Sequence, residues 1–149
     1  MGDIVSNPKA RRDYHILETY EAGLVLRGTE VKSLRAGKGQ IADSFARVEN
    51  GEVFLYNAHI EEYAQGNRQN HLPKAPRKLL LHRREILKLQ AAAEQKGLVI
   101  VPLSFYWKSG KVKAALAVGK GKAEFDKRDD LKQRESDRML RRATMHPVR

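Results

Sequence analysis

The sequence predicts a mainly β protein: a small antiparallel barrel of roughly six strands that carries accessory helices and is followed by a polar tail. Three observations support this prediction. Apolar and polar residues alternate with a period of two in several runs before residue 119. Two dipeptides suited to tight turns, Asn50-Gly51 and Ser109-Gly110, connect such runs. The 149 residues suffice for one domain with a hydrophobic core, but not for two.

The first half of the chain contains a strand, a short helix and a hairpin. The strand is predicted over residues 14–26 with a bend at Gly23, and the helix near residues 30–35 with Gly37 at its end. Residues 45–49 and 52–56 form a hairpin, because a type I′ turn needs positive φ at both central residues and Asn-Gly tolerates it. Residues 62–77 are rich in Gly, Asn and Pro, and they predict a long surface loop.

The second half contains a longer helix and a second hairpin. Residues 84–96 place Ile86, Leu89 and Ala93 on one helix face, with Gly97 as C-cap. The hairpin joins residues 98–107 to residues 111–118, and Pro102 marks an edge position or a bulge because it has no N–H for a ladder. We place the boundary between barrel and tail near residues 119–123. The aromatic residues of these patterns are assigned mostly to the core, with base stacking as the alternative for any that point outward: Tyr14, Tyr20, Phe45, Phe54, Tyr56, Tyr63, Phe105, Tyr106 and Trp107.

Charge and cysteine content exclude several classes of protein. Lys and Arg number 29 against 18 Asp and Glu, a net charge of +11, and residues 108–149 hold 13 of the cations against 6 of the acids. This excess predicts a polyanionic partner, either nucleic acid or an anionic membrane surface. Without Cys there is no disulfide, thiolate zinc site or iron–sulfur cluster. No run of about 20 apolar residues and no signal-peptide pattern is present, so we expect a cytoplasmic protein.

The tail, residues 124–149, differs from the barrel in kind. Its acids and bases alternate at helical spacing, as in the pairs Asp130–Arg134 and Asp137–Arg141, but it has few apolar residues with which to dock. We therefore predict that it is disordered when free and helical on a polyanion. The cations expected to face phosphates are Arg128, Lys132, Arg138, Arg141 and Arg142.

A search for catalytic and metal-binding patterns gives little. The five His residues lack metal-ligand spacing, and Asp43-Ser44 with His59 is too loose a pattern to indicate a nucleophilic triad. Residues 37–39 and 119–122 fit either turns or phosphate-binding loops, since neither continues into a P-loop. Glu21 and Glu30 could accept hydrogen bonds from RNA, but they are interpreted as surface acids or partners of Lys32 or Arg35. We expect no enzyme activity, cofactor or metal.

Residues 21–38, EAGLVLRGTEVKSLRAGK, resemble the signature of the SsrA-binding (tmRNA-binding) family, small protein B. The resemblance continues in family order over nearly the whole chain: Asn7 with KAR at 9–11, DSFA at 43–46, KLLLH at 78–82, LSFYW at 103–107, GKGK at 119–122 and DKR at 126–128. It implies a β-barrel of the oligonucleotide-binding (OB) type with two to three accessory helices over residues 1–123, followed by a basic tail.

The resemblance also implies a function, that of an adaptor for transfer-messenger RNA (tmRNA) in trans-translation. Barrel and tRNA-like domain together would imitate a tRNA, bound one to one by a monomer and delivered as alanyl-tmRNA with elongation factor Tu. The tail would enter the decoding centre and the empty mRNA channel of a ribosome stalled on a message without a stop codon. The nascent peptide would then be tagged for degradation and the ribosome released.

Carried over by position, two groups of residues acquire roles. The family's tmRNA-contact surface falls on Asn7, Lys9, Arg11, Glu21, Leu80, Lys120 and Lys122. The decoding-centre and channel contacts of the tail fall on Asp126, Lys127, Arg128, Lys132, Arg134, Arg138, Arg141 and Arg142. For Glu21 and Leu80 this reverses the interpretation from sequence alone, which makes one a surface acid and the other a core strand residue.

Two residues depart from the family pattern, and two other functions compete with the adaptor. Pro8 stands where members usually carry a basic residue, and Phe125 where His or Tyr is common. A constitutive ribosomal protein would share the charge and the barrel, and an RNA-modifying enzyme has little support.

Overall fold

The computed structural model describes residues 3–66 and 70–122, and these residues form nine strands and three helices. In chain order the elements are β1 (Asp3–Ser6), α1 (Pro8–Asp13), β2 (Tyr14–Leu24), α2 (Gly28–Arg35), β3 (Gly39–Gln40), β4 (Phe45–Glu49), β5 (Glu52–Tyr56), β6 (His59–Ile60), β7 (Arg77–Leu80), α3 (Arg83–Ala93), β8 (Leu98–Lys108) and β9 (Lys111–Gly121). The predicted tail, residues 124–149, lies outside the described residues, together with Phe125 and every site residue assigned to it.

Six strands close into a ring in which every pairing is antiparallel. The order is β8-β4-β5-β7-β2-β9, and the pairing of β9 with β8 closes it. Strand β1 is added to β8 outside the ring, and β3 and β6 form a separate two-stranded sheet. The predicted fold class, mainly β with a closed antiparallel sheet and two to three accessory helices, is confirmed.

The ring encloses one apolar core. Inward-facing residues of the ring strands, with Phe105, Leu116 and Leu55 at the centre, are fully buried, and Leu89 of α3 packs against them. The assignment of most aromatic residues to a core is supported for five of the nine. Phe105 is fully buried, Tyr20 and Trp107 pack against the same core, and Tyr14 and Phe45 pack against a second, smaller apolar cluster beside α1. The other four, which are partly exposed, are Phe54, Tyr56, Tyr63 and Tyr106.

Both predicted hairpins are confirmed. Asn50 and Gly51 have φ values of 51° and 76°, and Ser109 and Gly110 have values of 52° and 75°, so each turn has positive φ at both central positions. Of the two alternatives predicted for Pro102, an edge position or a bulge, the structure shows the bulge, since the β8–β9 register shifts between Pro102 and Ser104.

The strand predicted at residues 14–26 is present as β2, but the irregularity is elsewhere. The register of β2 against β9 shifts between Ile16 and Glu18. Gly23 continues the ladder on both sides, paired with Leu80 of β7 and Lys113 of β9. The bend predicted at Gly23 is therefore wrong; this glycine lies where two neighbouring strands approach closely.

The helices follow local signals to different degrees. Helix α2 contains the predicted residues 30–35 and is followed by Gly37 at φ 75°. Helix α3 ends at Ala93, three residues before the predicted end, and Gly97 at φ 85° reverses the chain. Helix α1 is an addition to the two helices that patterning predicts. Pro8 stands in its first turn, where a missing N–H has no helical partner to lose.

Residues 119–121 belong to β9 and not to a loop. Gly119 pairs with Ile16 and Val99, and Lys120 pairs with His15 and Leu98. Both interpretations left open for this segment, a turn and a phosphate-binding loop, are therefore wrong. Glycine at position 119 has a packing reason instead, because a Cβ there would lie 2.9 Å from Cβ of Tyr14.

We expect Gly119→Ala to lower the free energy of unfolding by about 1–3 kcal/mol, because the added methyl group meets the base of a side chain held between strands. Chemical denaturation measures the change. Gly121→Ala is the matched control, since the nearest atom to its Cβ is Cε1 of Tyr14 at 3.9 Å, an ordinary contact. Equal stability of the two variants would contradict the packing argument.

Candidate nucleic-acid interface

Glu21 lies on the outer face of β2, and its carboxylate accepts hydrogen bonds from two residues of β8. The hydroxyl of Tyr106 donates to Oε2 at 2.6 Å, and Nζ of Lys108 lies 3.0 Å from Oε1 and 3.2 Å from Oε2. Glu21 itself stays exposed. It is therefore a surface acid, as the sequence alone indicates, but one whose carboxylate is oriented by two donors.

These two donors stabilise the ionised form of the Glu21 carboxyl group. The hydrogen bond from Tyr106, with a second contribution from Lys108, holds the pKa of Glu21 below its ordinary value. Burial and the bond to Glu21 raise the pKa of Tyr106 to about 12. At neutral pH the pair is therefore an ionised carboxylate beside a protonated phenol. The carboxylate presents acceptor oxygens to a base edge or a sugar hydroxyl.

We expect Tyr106→Phe to raise the pKa of Glu21 towards its ordinary value, because it removes the largest cause of the shift. A carbon-13 NMR titration of the Glu21 carboxyl measures this. The ionised Glu21 contributes to the free energy of unfolding at neutral pH. This contribution is lost as the pH falls through the pKa of Glu21 in the folded state, because that pKa lies below its value in the unfolded chain. Tyr56→Phe is the control, because that hydroxyl binds Glu49. An unshifted pKa in Tyr106→Phe would refute the assigned cause.

Leu80 lies beside Glu21 on the outside of the ring. It is 52% exposed at the end of β7, opposite Gly23. A Cβ at Gly23 would lie 3.2 Å from Cβ of Leu80, so glycine is what allows the leucine to lie against β2. The interpretation of Leu80 as a core strand residue is wrong, because in β7 it is Arg77 and Leu79 that point inward. We call Glu21, Leu80, Tyr106, Lys108 and Lys113 the Glu21 surface.

Four more predicted contacts gather at the opposite end of β2. Lys9 and Arg11 project from α1, and Lys9 makes an ion pair with Asp43 at 3.1 Å. The backbone N–H of Lys122 donates to the carbonyl of Asp13 at 2.8 Å, which holds the end of β9 beside α1. These three residues, Lys9, Arg11 and Lys122, form a second group with Lys120. We call Lys9, Arg11, Arg12, Lys120 and Lys122 the α1 surface.

The two surfaces are well separated. Lys120 pairs with His15 and Glu21 pairs with Ala115, so six residue steps of β2 lie between them. At roughly 3.3 Å per residue this is about 20 Å. The resemblance implies one tmRNA-contact surface, whereas the structure places six of the seven predicted contacts in two separate groups and buries the seventh, Asn7.

Asn7 is buried and does not belong to either exposed group. Its exposed fraction is 4%, and its side-chain amide donates to the carbonyls of Ile41 and Pro102 at 3.2 and 2.9 Å. Its backbone N–H also donates to Leu103 at 2.8 Å. Asn7 therefore fixes the entry to α1 through its amide N–H groups and its backbone N–H, while its Oδ1 has no hydrogen-bond partner within the described residues.

Glu30 is buried, although the sequence predicts a surface acid or a partner of Lys32 or Arg35. It is 4% exposed, its Oε1 accepts the backbone N–H of Arg27 at 2.8 Å, and its Oε2 accepts Nε of the buried Arg77. The expected partners, Lys32 and Arg35, instead lie over the rings of Tyr63 and Trp107, each 5.3 Å from the ring centroid. Glu30 is structural, and nothing in the local sequence indicates a partner 47 residues away.

The residues considered for a triad are engaged in other interactions. The Ser44 hydroxyl donates to the carbonyl of Ile41 at 2.5 Å, and Asp43 pairs with Lys9. Within residues 3–66 and 70–122, no group of three His, Asp or Glu side chains is arranged to hold a metal ion. No helix in the same ranges is long and apolar enough to cross a membrane.

A closed antiparallel ring with two separate outer surfaces, one built of cations and one of a carboxylate among cations, defines a small β protein suited to binding a polyanion at two places. A family model described as SmpB protein matches residues 4–146. The chain therefore belongs to the SmpB protein family.

Relatives and a solved structure agree with this membership. An SsrA-binding protein of Desulforudis audaxviator is 57% identical over 94% of this chain and 92% of its own length. Another, of a Geobacillus species, is 59% identical over 94% of this chain and 90% of its own length. A structure described as "tmRNA-SmpB: a journey to the center of the bacterial ribosome" matches with a TM-score of 0.69 and 50% identity, covering 80% of this chain and 85% of that one.

Proposed function

We propose that this chain is a non-enzymatic, cytoplasmic adaptor that binds tmRNA and delivers alanyl-tmRNA, with elongation factor Tu, to ribosomes stalled on messages without a stop codon. The observation that carries the proposal is the family match over residues 4–146, which includes both the ring and the tail. The names of the relatives and the ribosomal setting of the structural neighbour support the same partners.

The geometry supports a division of labour within the ring. The Glu21 surface offers an oriented carboxylate and an exposed leucine, which suit base edges, sugar hydroxyls and unstacked bases. On the α1 surface the five cations outnumber the acids paired with them, Asp13 and Asp43, which suits phosphates. Lys9, Arg11, Lys120 and Lys122 would therefore contact tmRNA phosphates, and Asn7 would act as a positioning residue through α1.

The tail completes the proposal. The tail follows Lys122, which is the last described residue. The backbone N–H of Lys122 donates to the carbonyl of Asp13, so the tail begins at the α1 surface. Its proposed contacts in the decoding centre and the mRNA channel are those named above, Asp126 to Arg142. A monomer that binds one tmRNA would thus address two RNAs, one with the ring and one with the tail.

The experiment that tests this function is capture of RNA and ribosomes by the tagged full-length chain. We expect one structured RNA of tmRNA type, and ribosome loading only when the mRNA channel is empty. A constitutive ribosomal protein would load equally on ribosomes that hold a full-length message. Equal loading would overturn the adaptor function.

The two surfaces should differ in their response to salt. We expect Lys122→Ala to reduce the slope of log affinity for tmRNA against log salt by about one unit, because one phosphate contact is lost. Glu21→Ala should weaken binding with little change in slope, since its contact is not with phosphate. Lys96→Ala, on an exposed lysine beyond α3, is the control and should change neither quantity. Equal slope changes in the first two variants would contradict these roles.

A further inference from the structure

A groove of about 420 Å³ lies between α3 and the first half of β2. Its lining is mainly apolar and is formed by Leu17 of β2, Ala91 and Ala92 of α3, Leu98 of β8 and Val118 of β9. We call it the α3 groove. None of the described residues that line it belongs to the Glu21 surface or to the α1 surface.

Leu17 faces the α3 groove because of an irregularity in β2. Ile16 pairs with Gly119 and Glu18 pairs with Val118, so the register shift leaves Leu17 as the extra residue of a bulge. A bulge changes the direction in which a side chain points. Leu17 lines the groove and is 55% exposed, so the bulge presents an apolar side chain that stays half-exposed.

The chain leaves the ring beside this groove. The backbone N–H of Gly121 donates to the carbonyl of Gly97 at 3.4 Å. Gln95 and Leu98, on either side of Gly97, both line the groove. The segment that follows β9 therefore starts next to one end of the groove.

The distance to the groove is short enough for Phe125 to cover. Lys120 pairs with Leu98, so Lys122 lies two residue steps along and one strand across from Leu98, which is about 8 Å. Phe125 follows Lys122 by three residues, and three residues span up to about 10 Å. The ring of Phe125 can thus reach the groove of its own chain.

A phenyl ring matches the groove in size and in chemistry. A cavity of roughly 150 Å³ encloses a benzene ring, so a groove of about 420 Å³ has room for the side chain of Phe125. Phenylalanine brings no hydrogen-bonding atom into an apolar site, whereas the His or Tyr that is common at this position of the family would need a partner there.

The charges at the groove also suit this segment. Lys88 lines the groove, is exposed and makes no ion pair within the described residues. The other charged lining residue, Glu18, accepts a hydrogen bond from the hydroxyl of Tyr20. Phe125 has an acidic residue on each side in the sequence, so a carboxylate can face the ammonium of Lys88. Such an exposed pair adds little affinity, but it favours acidic neighbours over basic ones.

We propose that Phe125 docks in the α3 groove of its own chain in the free protein, with its ring against Leu17 and Ala91 and a flanking carboxylate at Lys88. The inference goes beyond the proposed function, because it concerns the chain before it meets any RNA. For the proposed adaptor it means that residues 126–128, assigned to the decoding centre, are held beside the ring until Phe125 leaves the groove.

Chymotrypsin reports on Phe125 directly, because it cleaves after accessible aromatic side chains. The experiment digests the full-length protein without RNA and measures by mass spectrometry the rate of cleavage after Phe125 relative to Leu131, an internal reference in the same tail. Burial of one Phe side chain shifts an equilibrium roughly 10- to 100-fold, and ordering the two connecting residues offsets part of this. We expect the relative rate to be about tenfold lower than in a variant whose groove is filled, since cleavage follows the undocked fraction.

Two pairs of variants test the groove. Ala91→Phe fills it, and Ala93→Phe is the matched control, because Ala93 is an exposed alanine of the same helix that lines a separate groove beside β4. Leu17→Asp places a charge in the groove, and Leu87→Asp is its control at a leucine of α3 that is 54% exposed and does not line the groove. Thermal melting checks that each variant is folded, and if Ala91→Phe is not, the second pair decides.

The expected result is faster cleavage after Phe125 in Ala91→Phe and in Leu17→Asp, with both controls like the unaltered chain. Equal relative rates in a folded groove variant and its control overturn the docking of Phe125 and leave the proposed function standing. Protection that disappears on dilution places Phe125 of a second copy in the groove, which also overturns docking within one chain. Because no RNA is present, failure of the adaptor function in the capture experiment does not alter this result.

Discussion

Replacing Arg77 by Ala is expected to lower the free energy of unfolding by about 3–5 kcal/mol, because it leaves a buried carboxylate without its partner. Arg77 is 3% exposed, and its guanidinium donates to Oε2 of Glu30 and to the carbonyl of Ala58, the latter at 2.6 Å. The remaining bonds go to the carbonyls of Leu72 and Pro73, at 3.3 and 3.0 Å. One side chain thus joins α2, the β5–β6 connection, the loop before β7 and β7 itself.

Chemical denaturation of Arg77→Ala measures this change, and the adjacent residue provides the control. Lys78 also makes an ion pair, with Glu52 at 3.3 Å, but both side chains are close to half exposed. An exposed pair contributes about 0–1 kcal/mol, so Lys78→Ala should scarcely change stability. If the two variants lose similar stability, the buried network does not have the role assigned to it.

This network shows where sequence reasoning reached its limit. Glu30 carries no local sign of burial, and residues 62–77 have the composition of a surface loop. The surface-loop interpretation is wrong in part: His71 within this segment is 3% exposed, with Nδ1 2.9 Å from the Thr29 hydroxyl and Nε2 2.8 Å from the Ile60 carbonyl. Burial of these polar groups depends on partners distant in sequence, and periodicity over a window of residues cannot detect such partners.

Local chemistry, by contrast, determined what could be predicted. The turns at Asn50-Gly51 and Ser109-Gly110 need positive φ, and the absent N–H of Pro102 indicates a bulge; each depends on one or two residues. The sequence predicts Leu80 in a strand, but with the wrong face inward. In β7 the buried residues are Arg77 and Leu79, and Leu80 is exposed. The burial of an arginine in place of a leucine depends on the tertiary partners of Arg77.

The candidate site residues Glu21 and Leu80 are predicted by resemblance to the family. A single acid and one leucine in the run KLLL have no pattern that would indicate RNA binding. The structure supplies the physical reason, two donors on Glu21 and the close approach of Leu80 to Gly23. The structure also divides the predicted tmRNA contacts between two surfaces. Strand register determines which residues share a surface, and the order of residues in the sequence does not determine register.

Deleting residues 124–149 is expected to leave tmRNA affinity nearly unchanged and to abolish tagging of the stalled peptide. The ring does not need these residues, because β9 ends at Gly121 and the bond from Lys122 to Asp13 is retained. The net charge also changes little, since residues 124–149 hold 8 Lys and Arg against 6 Asp and Glu. Most of the excess charge after residue 107 therefore belongs to residues 108–122, five Lys without an acid, which remain.

Two measurements test this truncation, tmRNA affinity by anisotropy and peptide tagging in a translation reaction stalled on a message without a stop codon. A full-length variant with Asp126, Lys127 and Arg128 replaced by Ala is the control for chain length, and it should also bind tmRNA while failing to tag. Loss of tmRNA affinity on truncation would show that the tail belongs to the tmRNA interface. Retained tagging would show that the ring alone admits the complex to the ribosome. Either result would refute the division between a ring that holds tmRNA and a tail that acts in the empty channel, because that division requires the two activities to be lost separately.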